Sequence, residues 1–294
     1  MAANQGLTFR FVVQPEKLSL YARFLAGSLR RFGPSDIVLQ ACVPSHMSLD
    51  SSTLSLFDRL DVEVVRFEAE LWRKYGYPIG NKIDVAALPA ATGHVVVMDS
   101  DMIALRPFRT AELTGVDLGM RPIMGAQVFV GENRRQIEDF VKRSVVPAPR
   151  AELAGLMAIR TPAKVGFPVF NSGFIVMRSG LGFGERLREL TSLALETETL
   201  PPKVRRPFAD QLALACLALE RARAVTPLAT GWNCHVKAPA ARATIWHYFQ
   251  FTRLIHRPFG RKLVFSLQEE FEKHGFNLLG ERSRREVIPK PRRA

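Results

Sequence analysis

Apolar and polar positions in the first hundred residues alternate between two periods. Residues 8–13 (TFRFVV) are rich in β-favouring side chains and predict a first strand. Leu18, Tyr21, Leu25, Leu29 and Phe32 then recur at helical spacing, and Gly33-Pro34 closes that helix. Residues 37–43 and 62–67 predict two further strands, with a polar stretch over 45–61 between them. Residues 81–88 read as a helix stopped at Pro89. The unbroken apolar run HVVVM, residues 94–98, is the mark of a strand buried on both faces. Strands alternating with helices predict an α/β fold: a mostly parallel central sheet flanked by helices, with a Rossmann-like N-terminal half. Ligands of such sheets sit at the carboxyl ends of the strands. Asp99-Ser100-Asp101 stands at that place, directly after HVVVM.

The second half is less regular. Residues 118–120 and 127–130 are weak strand candidates, 136–145 a helix, and 147–167 a loop with a helical piece. Residues 170–177 open on Asn-Ser-Gly and run into FIVM; 187–198 and 210–222 read as helices, and 244–249 as a late strand. These elements fit one domain over 1–262, with a regular half over about 7–130 and a less regular half over about 131–262. Residues 263–294 form a helical, basic extension.

Composition narrows the class. The 294 residues are 47% hydrophobic and 23% charged, which suits a globular chain with a large core. A net charge of +13 favours anionic partners such as nucleotides, phosphorylated acceptors or an anionic membrane surface. Cys42, Cys216 and Cys234 are far apart and odd in number, which argues against a disulfide framework or a zinc site. No apolar run approaches the ~20 residues of a membrane span, and the first residues lack the pattern of a signal peptide. The expected location is therefore cytoplasmic, with peripheral membrane contact through the basic residues 281–294 as a hypothesis.

Asp99 and Asp101 carry the sharpest chemical signal. In an extended segment residues two apart point the same way, so the two carboxylates converge. Their mutual repulsion is relieved by a cation, and hard ions such as Mg²⁺ or Mn²⁺ take oxygen ligands while leaving positions for phosphate oxygens. The plainer alternative is a simple turn after a strand, which Asp and Ser also favour. Similar alternatives stand beside the other polar residues: Asp210 as a helix N-cap, His247 as a core histidine between Trp246 and Tyr248, and Lys82 as a solvated helix residue.

The run NKIDVAALPAATGHVVVMDSDMIALRPF resembles the donor-binding segment of glycosyltransferase family 8, the glycogenin and lipopolysaccharide-galactosyltransferase group, whose fold is termed GT-A. Asn171-Ser172-Gly173-Phe174, Asp210-Gln211, Trp232-Asn233 and the strand IWHY at 245–248 are similar to later family elements, in the same order, so the resemblance spans roughly 8–260. It implies a metal-dependent transferase that uses a nucleotide-sugar donor, with UDP the expected nucleotide and retention of the sugar's configuration. Asp99, Asp101 and His247 would ligate Mn²⁺ or Mg²⁺. Lys82 and Ser100 would lie with the donor, Asn171 near the donor sugar or acceptor, Asp210 on the sugar hydroxyls, and Gln211 near the anomeric carbon. The family's glycine and Lys-Pro-Trp after the histidine are missing here. Arg257-Pro258-Phe259 lies further along, and Arg253 and Arg257 are equal candidates for the phosphate-binding cation. Gln14 and Glu16 lie where the family binds the base, without a sharp motif. The acceptor, whether a glycan, a lipid-linked glycan or a protein, is unspecified.

Two other classes are weighed against this one. A sugar-nucleotide nucleotidyltransferase needs a Gly-rich loop after the first strand to cradle triphosphate; that place reads QPEKLSL. An inactive binding module would use the basic surface for a membrane or nucleic acid, but base-stacking motifs and zinc elements are missing, which argues against nucleic acid.

Overall fold

The computed structural model describes residues 6–123, 133–158 and 167–279. Two expectations, the weak strand at 127–130 and the basic segment 281–294, lie outside the described residues. In chain order the elements begin with β1 (Leu7–Val12), α1 (Lys17–Phe32), β2 (Val38–Pro44), α2 (Ser51–Arg59), β3 (Val62–Phe67), α3 (Glu70–Tyr75) and α4 (Asn81–Ala86). Next come β4 (His94–Met98), β5 (Met102–Ala104), α5 (Ala111–Thr114), β6 (Leu118–Pro122), α6 (Arg134–Ser144), α7 (Arg150–Met157) and β7 (Phe170–Arg178). The chain continues through α8 (Phe183–Glu196), α9 (Pro202–Glu220), β8 (Val225–Pro227), β9 (Cys234–His235), β10 (Ile245–His247), α10 (Phe251–Ile255) and α11 (Pro258–Glu272). A mixed, mostly parallel seven-stranded sheet has the order β3-β2-β1-β4-β7-β6-β8, and a three-stranded sheet the order β5-β10-β9.

The chain divides into two compact units. The first comprises Met1–Arg10, Phe67–Met98 and Thr110–Ala229. Here β7 lies antiparallel to β4, with Met98 opposite Phe174, and antiparallel to β6, with a bulge between Met120 and Arg121. Val95 to Met98 are all buried, so HVVVM is covered on both faces as its pattern predicts. Val95, Val97, Ile175 and Met177 point into a core filled by Leu187 and Leu190 of α8 and Leu212 and Leu214 of α9. Helix α8 approaches α4 closely because residue 184 is glycine: a Cβ there would stand 2.0 Å from the Ala86 carbonyl oxygen. Arg10 is buried at the end of its share of β1. Its guanidinium donates to the carbonyls of Leu88 (2.7 Å) and Pro89 after α4, which anchors the turn leading into β4.

Helix α9 departs from the expected start at residue 210. It begins at Pro202, and Pro207 lies inside it. Proline removes a helical N–H and clashes with the preceding turn. The consequence is Phe208 at φ −134°, outside the helical region, so the segment holding Asp210 restarts immediately after a break.

The second unit comprises Phe11–Arg66, Asp99–Arg109 and Thr230–Ala294. The polar stretch 45–61 contains α2, whose apolar contribution is confined to Leu56 and Phe57, too few for its period to stand out. Its start is set by Asp50, whose side chain accepts from the Thr53 N–H at 2.8 Å, as a helix N-cap does. Arg23 of α1 binds Asp50 at 2.8 Å and ties the two helices. The Ser28 hydroxyl of α1 accepts the Ala104 N–H at 3.0 Å and so holds β5 against the same helix.

Asp84 on α4 is buried, and its Oδ2 accepts the Leu71 N–H at 3.1 Å. Burial pushes its pKa up to about 6, and the charge of Glu70 adds to the rise against the pull of the Leu71 N–H and Arg188. The fold thus favours protonated Asp84. The stability this gives is fully present below pH ~4 and is lost as pH rises through about 6. Asp84→Asn keeps an acceptor for Leu71 and removes the buried charge. It is expected to raise unfolding free energy at pH 8 by about 2 kcal/mol and to change it little at pH 4, as read by urea titration at both pH values.

Candidate active site

In the second unit the chain leaves β4 and passes Asp99, Ser100 and Asp101 before entering β5. Strand β5 pairs antiparallel with β10, placing His247 opposite Met102 and Trp246 opposite Ile103. The Tyr248 N–H donates to the Asp101 carbonyl at 3.0 Å and extends the ladder to the acidic residue itself. His247 Nε2 consequently lies 3.2 Å from Asp101 Oδ1 and 3.7 Å from Asp99 Oδ2. One ligand atom from each of the three residues lies within 4.8 Å of the others. Asp99 and Asp101 are partly exposed, His247 is buried, and Ser100 is buried between the carboxylates.

The opposite nitrogen of the imidazole decides its tautomer. His247 Nδ1 lies 3.1 Å from Asn233 Oδ1, and an amide oxygen only accepts. Nδ1 therefore carries the hydrogen, which leaves Nε2 as the ring atom that faces the carboxylates. Two carboxylates and a lone pair brought so close need a cation, or a proton on Nε2, to offset them. Two carboxylate oxygens and one imidazole nitrogen are a donor set suited to a divalent ion of the Mn²⁺ or Mg²⁺ type. The residues present fit such an ion.

Around this cluster the second unit is cationic. His235 does not join it: its Nδ1 accepts the Lys237 N–H at 3.0 Å. Its pKa is lowered, first by burial and then by Lys237, His247, Arg253 and Arg257, so Lys237, Arg253 and Arg257 share its neighbourhood. Arg253 lies in the last turn of α10 and Arg257 precedes α11, both exposed. Trp232 packs edge-on against Phe108 at 5.4 Å, a core contact. Glu16 is exposed and takes a φ of 62° at the entrance to α1.

In the first unit a second polar cluster is buried. Lys82 Nζ lies 3.0 Å from Ser172 Oγ and 3.3 Å from Asp210 Oδ2, and the Ser172 hydroxyl donates to Asp210 Oδ2 at 2.5 Å. The Tyr77 hydroxyl donates to Asp210 Oδ1 at 3.0 Å and stands 3.5 Å from the Asp210 N–H. Relative exposure is 8% for Lys82 and 2% for Asp210, so the pair is a desolvated ion pair, not a solvated helix face. The Asp210 carboxylate serves these distant partners, which separates it from a simple capping role. Asn171, next to Ser172 on β7, accepts the Gly173 N–H on its own Oδ1 at 2.7 Å. Gln211 follows Asp210 on α9 and is half-buried.

Sequence reasoning quoted Ser172 and Asn233 only inside motifs and passed over Tyr77. The one available signal was the Asn after Trp232, a residue type that tolerates the left-handed backbone it adopts here, at φ 52°.

The fold and this carboxylate–histidine cluster define the class: a glycosyltransferase of the GT-A architecture. A family model described as the Rhodobacterales glycosyltransferase domain matches residues 9–222, and the chain belongs to that family. Among solved structures, the galactosyltransferase LgtC in complex with donor and acceptor sugar analogs is similar at 12% identity and a TM-score of 0.57, over 88% of this chain and 95% of that one. The glycosyltransferase GlyE of Streptococcus pneumoniae TIGR4 is similar at 12% identity and a TM-score of 0.54, over 99% of this chain and 66% of that one. At such identities the likeness is one of fold. No curated protein matches by sequence. Among the described residues, no helix is long and apolar enough to cross a membrane.

Removing one member of a buried ion pair strands the other charge and costs about 3 kcal/mol or more. Lys82→Met and Asp210→Leu are each expected to destabilise by that order. The double variant should lose less than the sum, with a coupling of about 1–3 kcal/mol in urea unfolding. Strict additivity would show the pair to be energetically idle.

Proposed function

We propose that this glycosyltransferase is metal-dependent and uses a nucleoside diphosphate sugar, with a UDP-sugar the first candidate. The convergence of Asp99, Asp101 and His247, with the His247 tautomer set for metal ligation, carries the reading. When bound there, a divalent cation supplies Lewis-acid neutralisation of the charge that grows on the leaving diphosphate. Exposed Arg253 and Arg257 add fixed positive charge for the same phosphates. Residues 221–268 hold eight Lys and Arg and no Asp or Glu, so the whole segment is poised for an anion.

The first unit's polar cluster is assigned to the sugar. Asp210 is held and oriented in a buried setting by Tyr77, Ser172 and Lys82. Such a carboxylate accepts from sugar hydroxyls and stabilises oxocarbenium character at the anomeric carbon. Gln211 and Asn171 are assigned to the same donor sugar, and retention of its configuration follows from the resemblance to family 8. Residues 1–262 act as the catalytic domain, with 263–294 a basic extension. The proposed acceptor is a sugar-bearing molecule, and the proposed location is cytoplasmic with peripheral contact to an anionic membrane.

A ligand that binds only the folded chain raises the melting temperature by mass action. With UDP or a UDP-sugar the rise is expected to require Mn²⁺ or Mg²⁺ and to vanish in Asp101→Asn, whose own unfolding stays close to wild type. A metal-dependent rise with GDP alone would keep the mechanism and change the base. No metal-dependent rise with any nucleotide would overturn the proposal.

A further inference from the structure

Two of the four non-glycine residues at positive φ among the described residues, Asn233 (52°) and Phe249 (61°), touch the same side chain, His247. Asn233 accepts from Nδ1 at 3.1 Å, and the Phe249 ring stacks on the imidazole at 3.9 Å between centroids with the planes 20° apart. Left-handed backbone is unfavourable for a bulky residue such as Phe and is retained only where surrounding structure imposes it. At 249 the conformation turns a partly exposed ring back over the imidazole face. At 233 it aims the amide oxygen at the imidazole edge. Both atoms of that hydrogen bond belong to buried residues, Asn233 at 4% and His247 at 5% exposure, so water does not compete for Nδ1.

We propose that Asn233 is a positioning residue that fixes the His247 tautomer and ring orientation, with Phe249 holding the ring plane, and that this clamp sets the affinity of the site for its divalent cation. The inference rests on the metal reading above and adds to it the residue that makes His247 a competent ligand. Without the Asn233 oxygen, the neutral ring gains by moving its hydrogen to Nε2, where the carboxylates of Asp101 and Asp99 accept it. That tautomer offers no lone pair to a metal. Groups that orient a ligating histidine in this way typically change metal affinity by about 10- to 100-fold when removed.

The left-handed backbone at 233 dictates the choice of variants. Glycine adopts that conformation freely, so Asn233→Gly removes the acceptor without backbone strain. Asn233→Asp tolerates the same conformation and keeps an acceptor. Binding of Mn²⁺ alone to the full chain, followed by calorimetry or by the electron paramagnetic resonance of free Mn²⁺, is expected to weaken about 10- to 100-fold in Asn233→Gly. In Asn233→Asp it should return to within about threefold of wild type. Long-range ¹H–¹⁵N correlations of the histidine rings without metal, with His247 assigned through His247→Gln, should show Nδ1–H in the wild type and a shift to Nε2–H in Asn233→Gly. Wild-type Mn²⁺ binding by Asn233→Gly, or equal losses in the Gly and Asp variants, would overturn the proposal. Binding that Asp101→Asn abolishes and Asn233→Gly leaves intact would overturn it while sparing the metal reading. A wild-type chain that binds no Mn²⁺ would remove both.

Discussion

The chemistry of the second unit depends on one backbone pairing. Met102–Ala104 is a strand of only three residues, and it acquires an antiparallel partner from the far end of the chain in Ile245–His247. Three residue pairs are a weak ladder by themselves. They persist because α1 supplies the Ser28 hydroxyl to the Ala104 N–H and because Trp246 and Ile103 are buried. Through that register His247 is delivered to the carboxylates of Asp99 and Asp101. A slip of one residue would turn His247 to the other face of the strand and present Trp246 or Tyr248 to the acidic pair.

The polar cluster of the first unit is built on a different principle. Asp210 stands just after a break in a helix, where Pro207 interrupts α9 and Phe208 leaves the helical region. The Tyr77 hydroxyl and the Ser172 hydroxyl converge on the same residue, and Lys82 supplies the countercharge. Replacing such a pair with apolar residues is often no loss to stability, whereas breaking it is expensive. The proposed role of Asp210 on the donor sugar is one reason for such a pair to lie buried just after a helix break.

Net charge favours an anionic ligand. A chain at +13 is repelled by itself and attracts anions, and the long acid-free segment 221–268 concentrates that charge near the carboxylate–histidine cluster. The second unit brings together three groups that could hold a divalent cation, with basic side chains near them, as the proposed nucleoside diphosphate donor would require. Enzyme class and architecture agree with this electrostatic picture: the family is one of glycosyltransferases, and structures of that activity share the fold.

Local pattern alone determined much of this protein. The alternation of strands and helices up to residue 98, the doubly buried strand HVVVM and the placement of Asp99 and Asp101 at its end are all consequences of short-range periodicity and turn chemistry. Helix α2 escaped detection because its apolar side is only two residues wide, and β5 and β9 because strands of three and two residues carry no period. Tertiary structure alone decided which polar groups meet. Lys82 finds Asp210, and His247 finds Asn233 and the Asp pair, through contacts between segments far apart in the chain. Spacing along a sequence limits what neighbours within one element can do. Pairing between distant elements is set by sheet register and core packing, which no local pattern encodes.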